Sequence, residues 1–143
     1  MQDARKAPAD LDRFIAAQAD SYGRALAELT AGHKQSHWMW FIFPQIAGLG
    51  HSPTAIRYAI HDLSESQAYL AHPLLGPRYL ACCTALLRHR GRDARDIMGE
   101  IDAVKLRSSL TLFDAAGAAP IVAQTLAAFF PEPDQATLRL IGR

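Results

Sequence analysis

The sequence has no apolar run long enough to cross a bilayer. Its longest, Trp38 to Phe43, is six residues and then meets Pro44, where a spanning helix needs about 20. The polar start, Met1 to Ala9, lacks the apolar centre of a signal peptide. A flexible tail over residues 1–9 and a cytoplasmic location are expected, with no membrane partner. Cysteine is scarce: Cys82 and Cys83 are the only two, and they are adjacent. Neighbouring helical residues point about 100° apart, so a bridge between them would be strained. No Cys-x-x-Cys spacing supports a redox pair, and two reduced, buried thiols are expected. Charge of one sign is not in excess: 15 Lys and Arg face 14 Asp and Glu, for a net +1. That excludes nucleic-acid binding by bulk electrostatics.

Other absences narrow the field further. No alternating run or hairpin signal appears, so strands are not expected. No Gly-x-Ser-x-Gly elbow, dinucleotide fingerprint or Gly-rich phosphate loop is present, and no cofactor is expected. Carboxylates are sparse near the aromatic segment, which gives a paired-carboxylate hydrolase little support. What remains is ordinary globular composition, half apolar and a fifth charged, over 143 residues. That length suits one domain, residues 10–143, with a core that needs no disulfide or metal.

Helical spacing runs through the chain. Asp10 is placed to cap a helix carrying Leu11, Phe14, Ile15, Tyr22, Leu26 and Leu29, ended by Gly32. Ser52-Pro53 reads as an N-cap followed by proline at the first helical position, with a helix through Ile56 and Ile60. Ser64 and Gln67 fit a capping box. Further helices follow from Pro77, from Asp93 to Met98, from Glu100 to Ala116, over Pro120 to Phe130, and from Asp134. The fold class is all-α: a compact single-domain bundle of about six to eight unequal helices.

Aromatic residues are few, twelve in all, yet four fall within Ser36-His-Trp-Met-Trp-Phe-Ile-Phe-Pro-Gln45, which also holds both tryptophans. This segment is the centre of the core, the wall of a ligand site, or both. Trp38 and Trp40 read as core or as stacking platforms for a ring. His37 reads as a half-buried histidine bonded to a backbone carbonyl or as a general acid or base. His33 and His37 stand four apart, a metal-ligand spacing on a helix. No third ligand can be named, so no metal site is expected. Gln45 either bridges a turn or faces a ligand. Lys34, Arg57, Tyr58 and His61 are near in sequence and would make the surroundings electropositive if they converge with Lys105 and Arg107.

A second segment, Ile101 to Phe113, carries apolar arcs on two sides: Ile101, Val104 and Leu112 on one, and Leu106, Leu110 and Phe113 on the other. Such a helix is expected to pack on both sides. Lys105 lies beside the first arc. It either reaches solvent and pairs with Asp102 at i, i+3, or it lines a polar notch with Arg107, Ser108, Ser109 and Thr111 that would hold a phosphate or carboxylate.

The aromatic decapeptide, Ala47-Gly-Leu-Gly50, Tyr58-Ala-Ile60, Tyr69-Leu-Ala-His-Pro73 and Lys105-Leu-Arg-Ser-Ser-Leu-Thr-Leu-Phe113 together resemble the bacterial family called domain of unknown function 1810. The resemblance spans about residues 10 to 141. It implies a compact helical fold and no established activity. It brings forward His37, Trp38, Trp40, Gln45, Lys105, Ser108, Ser109 and Thr111 as the signature; Leu110 stands where the family favours Met, a volume-conserving exchange. Some members carry the label calpastatin. Calpastatin inhibitory repeats are disordered, whereas this composition is that of a compact chain, so the label does not carry over.

Two functions follow. In the first, the protein binds a small anionic ligand such as one derived from a nucleotide: Lys105 and Arg107 neutralise it, Ser108, Ser109 and Thr111 donate to it, Trp38 or Trp40 stacks on a ring, and His37 serves any proton transfer. In the second, a non-catalytic helical module binds another protein, the aromatics are core, and Lys105 pairs internally. Local RNA contact through Lys34, Arg57, Arg88, Arg90 and Arg92 is a weaker third, since basic residues at the end of a helix also suit its dipole.

Overall fold

The computed structural model describes residues 10–143; the expected tail over residues 1–9 lies outside them. The apolar spacing from Leu11 to Leu29 forms α1 (Asp12–Ala31), which Gly32 ends. Asp10 is not its cap. Leu11 occupies that position, and the Asp10 carbonyl accepts from the Arg13 guanidinium instead. The aromatic segment supplies one helical turn, α2 (Met39–Ile42).

Ser52 caps α3 (Pro53–Tyr58) by accepting from the Ala55 N–H. That helix stops before Ile60, which forms an isolated parallel bridge with Ile46. The bridge holds Gln45 to Ala47 against the α3 exit: Ile60 N–H donates to the Gln45 carbonyl and Ala47 N–H to the Ile60 carbonyl, both at 2.8 Å. Asp62, not Ser64, caps α4 (Leu63–Ala71), accepting from Glu65 N–H at 2.8 Å.

The remaining helices are α5 (Leu75–Leu87), α6 (Ala94–Met98), α7 (Glu100–Ala115), α8 (Pro120–Phe129) and α9 (Gln135–Leu140). Asp93 caps α6 and Asp134 caps α9 through their carboxylates. Nine helices and no strand are present among the described residues, one helix more than the upper sequence expectation. None is long and apolar enough to cross a membrane.

α7 is the hub, packing on α4, α6, α8 and α9, while α1 packs on α2 and α5. A chain of rings joins these layers: Phe14 to Tyr69 at 5.2 Å, Tyr69 to Phe113 at 5.2 Å, Phe113 to Tyr79 at 4.4 Å, and Tyr79 to Phe43 at 5.4 Å. Each such pair contributes about 0.5–1.5 kcal/mol beyond the area it buries. Buried polar groups pin the layers in place. Arg13 on α1 donates to Glu65 on α4 at 3.1 Å and to the Arg57 and Ala59 carbonyls at 2.8 and 2.7 Å. That clamp fixes α3 and its exit relative to α1. Gly76 lets α5 start directly against α4, since a Cβ there would lie 2.1 Å from the Leu70 carbonyl oxygen. Cys82 and Cys83 are buried and unbridged, as expected.

Candidate functional site

The turn leading into the aromatic segment is organised by a residue from α1. Glu28 accepts from the backbone N–H of Gln35 at 2.8 Å and of Ser36 at 3.0 Å, from the Ser36 hydroxyl at 2.5 Å, and from the Trp38 indole N–H at 2.8 Å. Burial pushes its pKa up, but these four bonds pull harder and hold it at about 2, against an ordinary 4.5. Trp38 is thereby fixed in the core at 1% exposure. Its indole N–H is taken by Glu28 and its ring face by Lys34, whose Nζ lies 4.7 Å from the ring centroid. It is therefore not a stacking platform for a ligand.

Trp40, two residues on, is half-buried and faces outward from the core. The Lys105 amine sits 3.9 Å from its ring centroid. A cation over an indole face is attracted by about 0.5–2 kcal/mol, depending on desolvation. Lys105 also approaches Asp102 Oδ1, at 3.6 Å, but that carboxylate already holds Lys34 at 2.8 Å through Oδ2. One carboxylate therefore serves two ammonium groups, and the Lys105 side chain keeps 22% of its surface open.

Lys105, Trp40 and Ile101 form the shared wall of two cavities. The first, about 510 Å³, lies between α7, the Gln45–Gly50 loop and α3, and ends at Ser108 and Asp134. Its walls are mostly apolar, with Ile46, Leu49 and Val104 prominent, and Gln45 and Tyr58 line it too. The second, about 480 Å³, carries His37, Lys34 and Asp102. His37 and Lys105 thus line one cavity. Gly48 allows the loop its course: its φ is 106°, and a Cβ would come within 3.2 Å of Leu140.

The apolar arc of α7 is divided. Leu112 is fully buried, but Ile101 and Val104 are 73% and 65% exposed. They do not pack on a second layer as the two-sided pattern implied; they form cavity wall. The cavity-facing stripe is Ile101, Val104, Lys105 and Ser108, the 0, 3, 4, 7 spacing of one helical face.

Several expected residues are elsewhere. Arg107 donates to the Glu132 and Pro133 carbonyls at 2.7 and 2.8 Å and lines neither cavity. Ser109 is buried, 2.9 Å from the Tyr79 hydroxyl. Thr111 is buried between the Arg107 carbonyl and the Asp134 N–H. These three hold α7 to its neighbours, so the five-residue notch does not form. His33 and His37 lie in the turn before α2, so their spacing places them on no common helical face. His37 is exposed, and no hydrogen bond ties its ring among the described residues. Arg57 and His61 are exposed outside both cavities. Glu28 had no local sequence signal as a site residue; Asp102 was legible as the i, i+3 partner of Lys105 but not as the counter-ion of Lys34, and Asp134 as the start of a helix but not as a cavity carboxylate.

The family model described as protein of unknown function, DUF1810, matches residues 8–141. The chain belongs to this family. The chain is also similar to a solved structure, the conserved hypothetical protein Rv1873 from Mycobacterium tuberculosis, determined at 1.38 Å. It is 45% identical, with a TM-score of 0.92, covering 96% of this chain and 99% of that one. No curated protein matches the sequence.

Proposed function

We propose that the protein binds a small organic anion in the cavity beside α7, with its phosphate or carboxylate at Lys105 and its apolar body against Ile46, Leu49 and Val104. The observation that carries this reading is the incomplete pairing of Lys105. Among the described residues its only carboxylate neighbour, at 3.6 Å, is shared with Lys34 and lies beyond hydrogen-bond range. A ligand oxygen would supply the missing charge-assisted bond. Gln45 and Tyr58 add hydrogen-bonding groups to an otherwise apolar wall, the usual composition of a small-molecule pocket. Trp40 supports the ammonium from behind. His37, which lines the second cavity, is the acid or base candidate for any proton transfer.

The test is a thermal-shift and calorimetric panel of aromatic and aliphatic phosphates and carboxylates. A ligand at a hundred times its Kd stabilises by about 2.7 kcal/mol, a rise of about 5–10 °C for a chain this size. Lys105→Met removes a partly buried ion pair and the contact with the Trp40 ring, costs about 1–3 kcal/mol and keeps the fold, but abolishes the shift. A shift that survives in Lys105→Met, or no shift with any anion, defeats the proposal.

A second reading has its own support. Ile101 and Val104 are joined by exposed Leu140, which packs against Gly48 in the cavity wall. That apolar rim would also suit a protein partner. Loss of a copurifying partner on Ile101→Asp, with the anion panel silent, would favour it.

A further inference from the structure

The cavity beside α7 has a cation at one end and a carboxylate at the other, and we propose that its occupant is correspondingly two-ended. The molecule would carry an anionic group at Lys105, an amine or other N–H donor at Asp134, and an apolar body between them. This rests on the reading of Lys105 above and extends it to the far end of the same cavity.

Asp134 caps α9, but capping engages one of its oxygens. Oδ2 accepts from Ser108 Oγ at 2.9 Å, Thr137 N–H at 3.2 Å and Thr137 Oγ1 at 2.5 Å. Oδ1 accepts no hydrogen bond among the described residues, and no Lys or Arg among them pairs with this carboxylate. Arg107, close by on α7, is committed to the Glu132 and Pro133 carbonyls. So a carboxylate held rigid through one oxygen lines the cavity with its other oxygen unclaimed. A donor from a ligand is the group that oxygen lacks.

The same helix sets the spacing of the poles. The Lys105 amine reaches back toward Asp102, and Ser108 holds Asp134. Six residues of helix separate those two levels, which is about 9 Å along the axis. The wall between them is Val104 with Ile46 and Leu49 opposite. A bare inorganic ion would meet Lys105 and leave that wall wet, whereas an aryl or cyclohexyl body would cover it.

The experiment uses three probes in calorimetric titrations of the full chain. They are 4-(aminomethyl)phenylacetate with both poles, 4-methylphenylacetate with the anion alone, and 4-methylbenzylamine with the amine alone. The two-ended probe is expected to bind wild type at least about tenfold more tightly than either single-ended one, the gain of one charge-assisted hydrogen bond. Asp134→Asn keeps a good N-cap residue. It should remove that advantage, with 4-methylphenylacetate binding no more weakly than to wild type, since a repelling charge is lost. Equal affinity of the two acids in wild type overturns the two-ended proposal and leaves the anion reading standing, with no variant required. An advantage that persists in Asp134→Asn overturns the role of Asp134. Binding of the amine alone, without the acid, overturns the anion reading, and no binding of any probe at millimolar concentration overturns both.

Discussion

Replacing Glu28 with Gln tests how the aromatic segment is held. The carboxylate accepts four hydrogen bonds, two from backbone N–H groups, one from Ser36 and one from the Trp38 indole. Gln offers one carbonyl oxygen and turns an amide donor toward donors, so about half of these bonds are lost. Hydrogen bonds to a charged group contribute about 1.5–3 kcal/mol each. Glu28 is only half-buried, so water replaces part of the loss, and a net cost of about 2 kcal/mol is expected. For a chain of this size that lowers Tm by about 4–8 °C. The pH dependence has a fixed sign. The folded pKa, about 2, lies below the ordinary 4.5, so the stabilisation is complete above about pH 5 and fades as pH falls toward 2. Wild type and Glu28→Gln should therefore differ most at neutral pH and converge in acid. Urea denaturation followed by circular dichroism at several pH values measures both. Equal stability at pH 7, or a constant gap down to the acid end, would refute the reasoning.

Two further outcomes follow from the core. Arg13→Met strips a buried carboxylate of its cation and three carbonyls of their donor, and should cost about 3–5 kcal/mol in chemical denaturation; a loss under about 1 kcal/mol would mean that Glu65 finds another partner. Cys82 and Cys83 should resist a thiol reagent such as dithionitrobenzoate in the folded protein and both react in denaturant. Burial pushes Cys82 up to about 12 and Cys83 higher still, so the reactive thiolate is scarce at neutral pH. Rapid labelling of the native state would contradict this.

The helices were legible because their signals are local. Ser52-Pro53, Asp93, Asp134 and the glycines at positions 32 and 99 mark ends that the structure reproduces. The Ser64 box failed because Asp62, two residues earlier, offers a stronger acceptor to the same turn. The site was legible only in part. Periodicity identifies Ile101 and Val104 as apolar but does not distinguish a core face from a cavity wall. The five-residue notch asked too much of one helix. Arg107 and Thr111 lie about 200° and 240° around the axis from Lys105, while Ser109, only about 40° away, is on the buried edge of that stripe and is taken by Tyr79, which leaves Ser108 on the cavity side. The meeting of Lys34 and Lys105 at Asp102 joins α7 to a turn some seventy residues away, a distance over which sequence pattern carries no geometry.

The placement of the two tryptophans has a spectroscopic consequence. Trp38 is sealed between Glu28 and Lys34, so its emission is a constant background. Trp40 forms part of both cavities and carries the Lys105 charge over its ring. Indole emission responds to nearby charge because excitation redistributes electrons between its two rings. Drawing the ammonium away, or neutralising it, changes the colour of Trp40 alone. The chain thus carries an intrinsic optical gauge of its own cavity, read without any added dye.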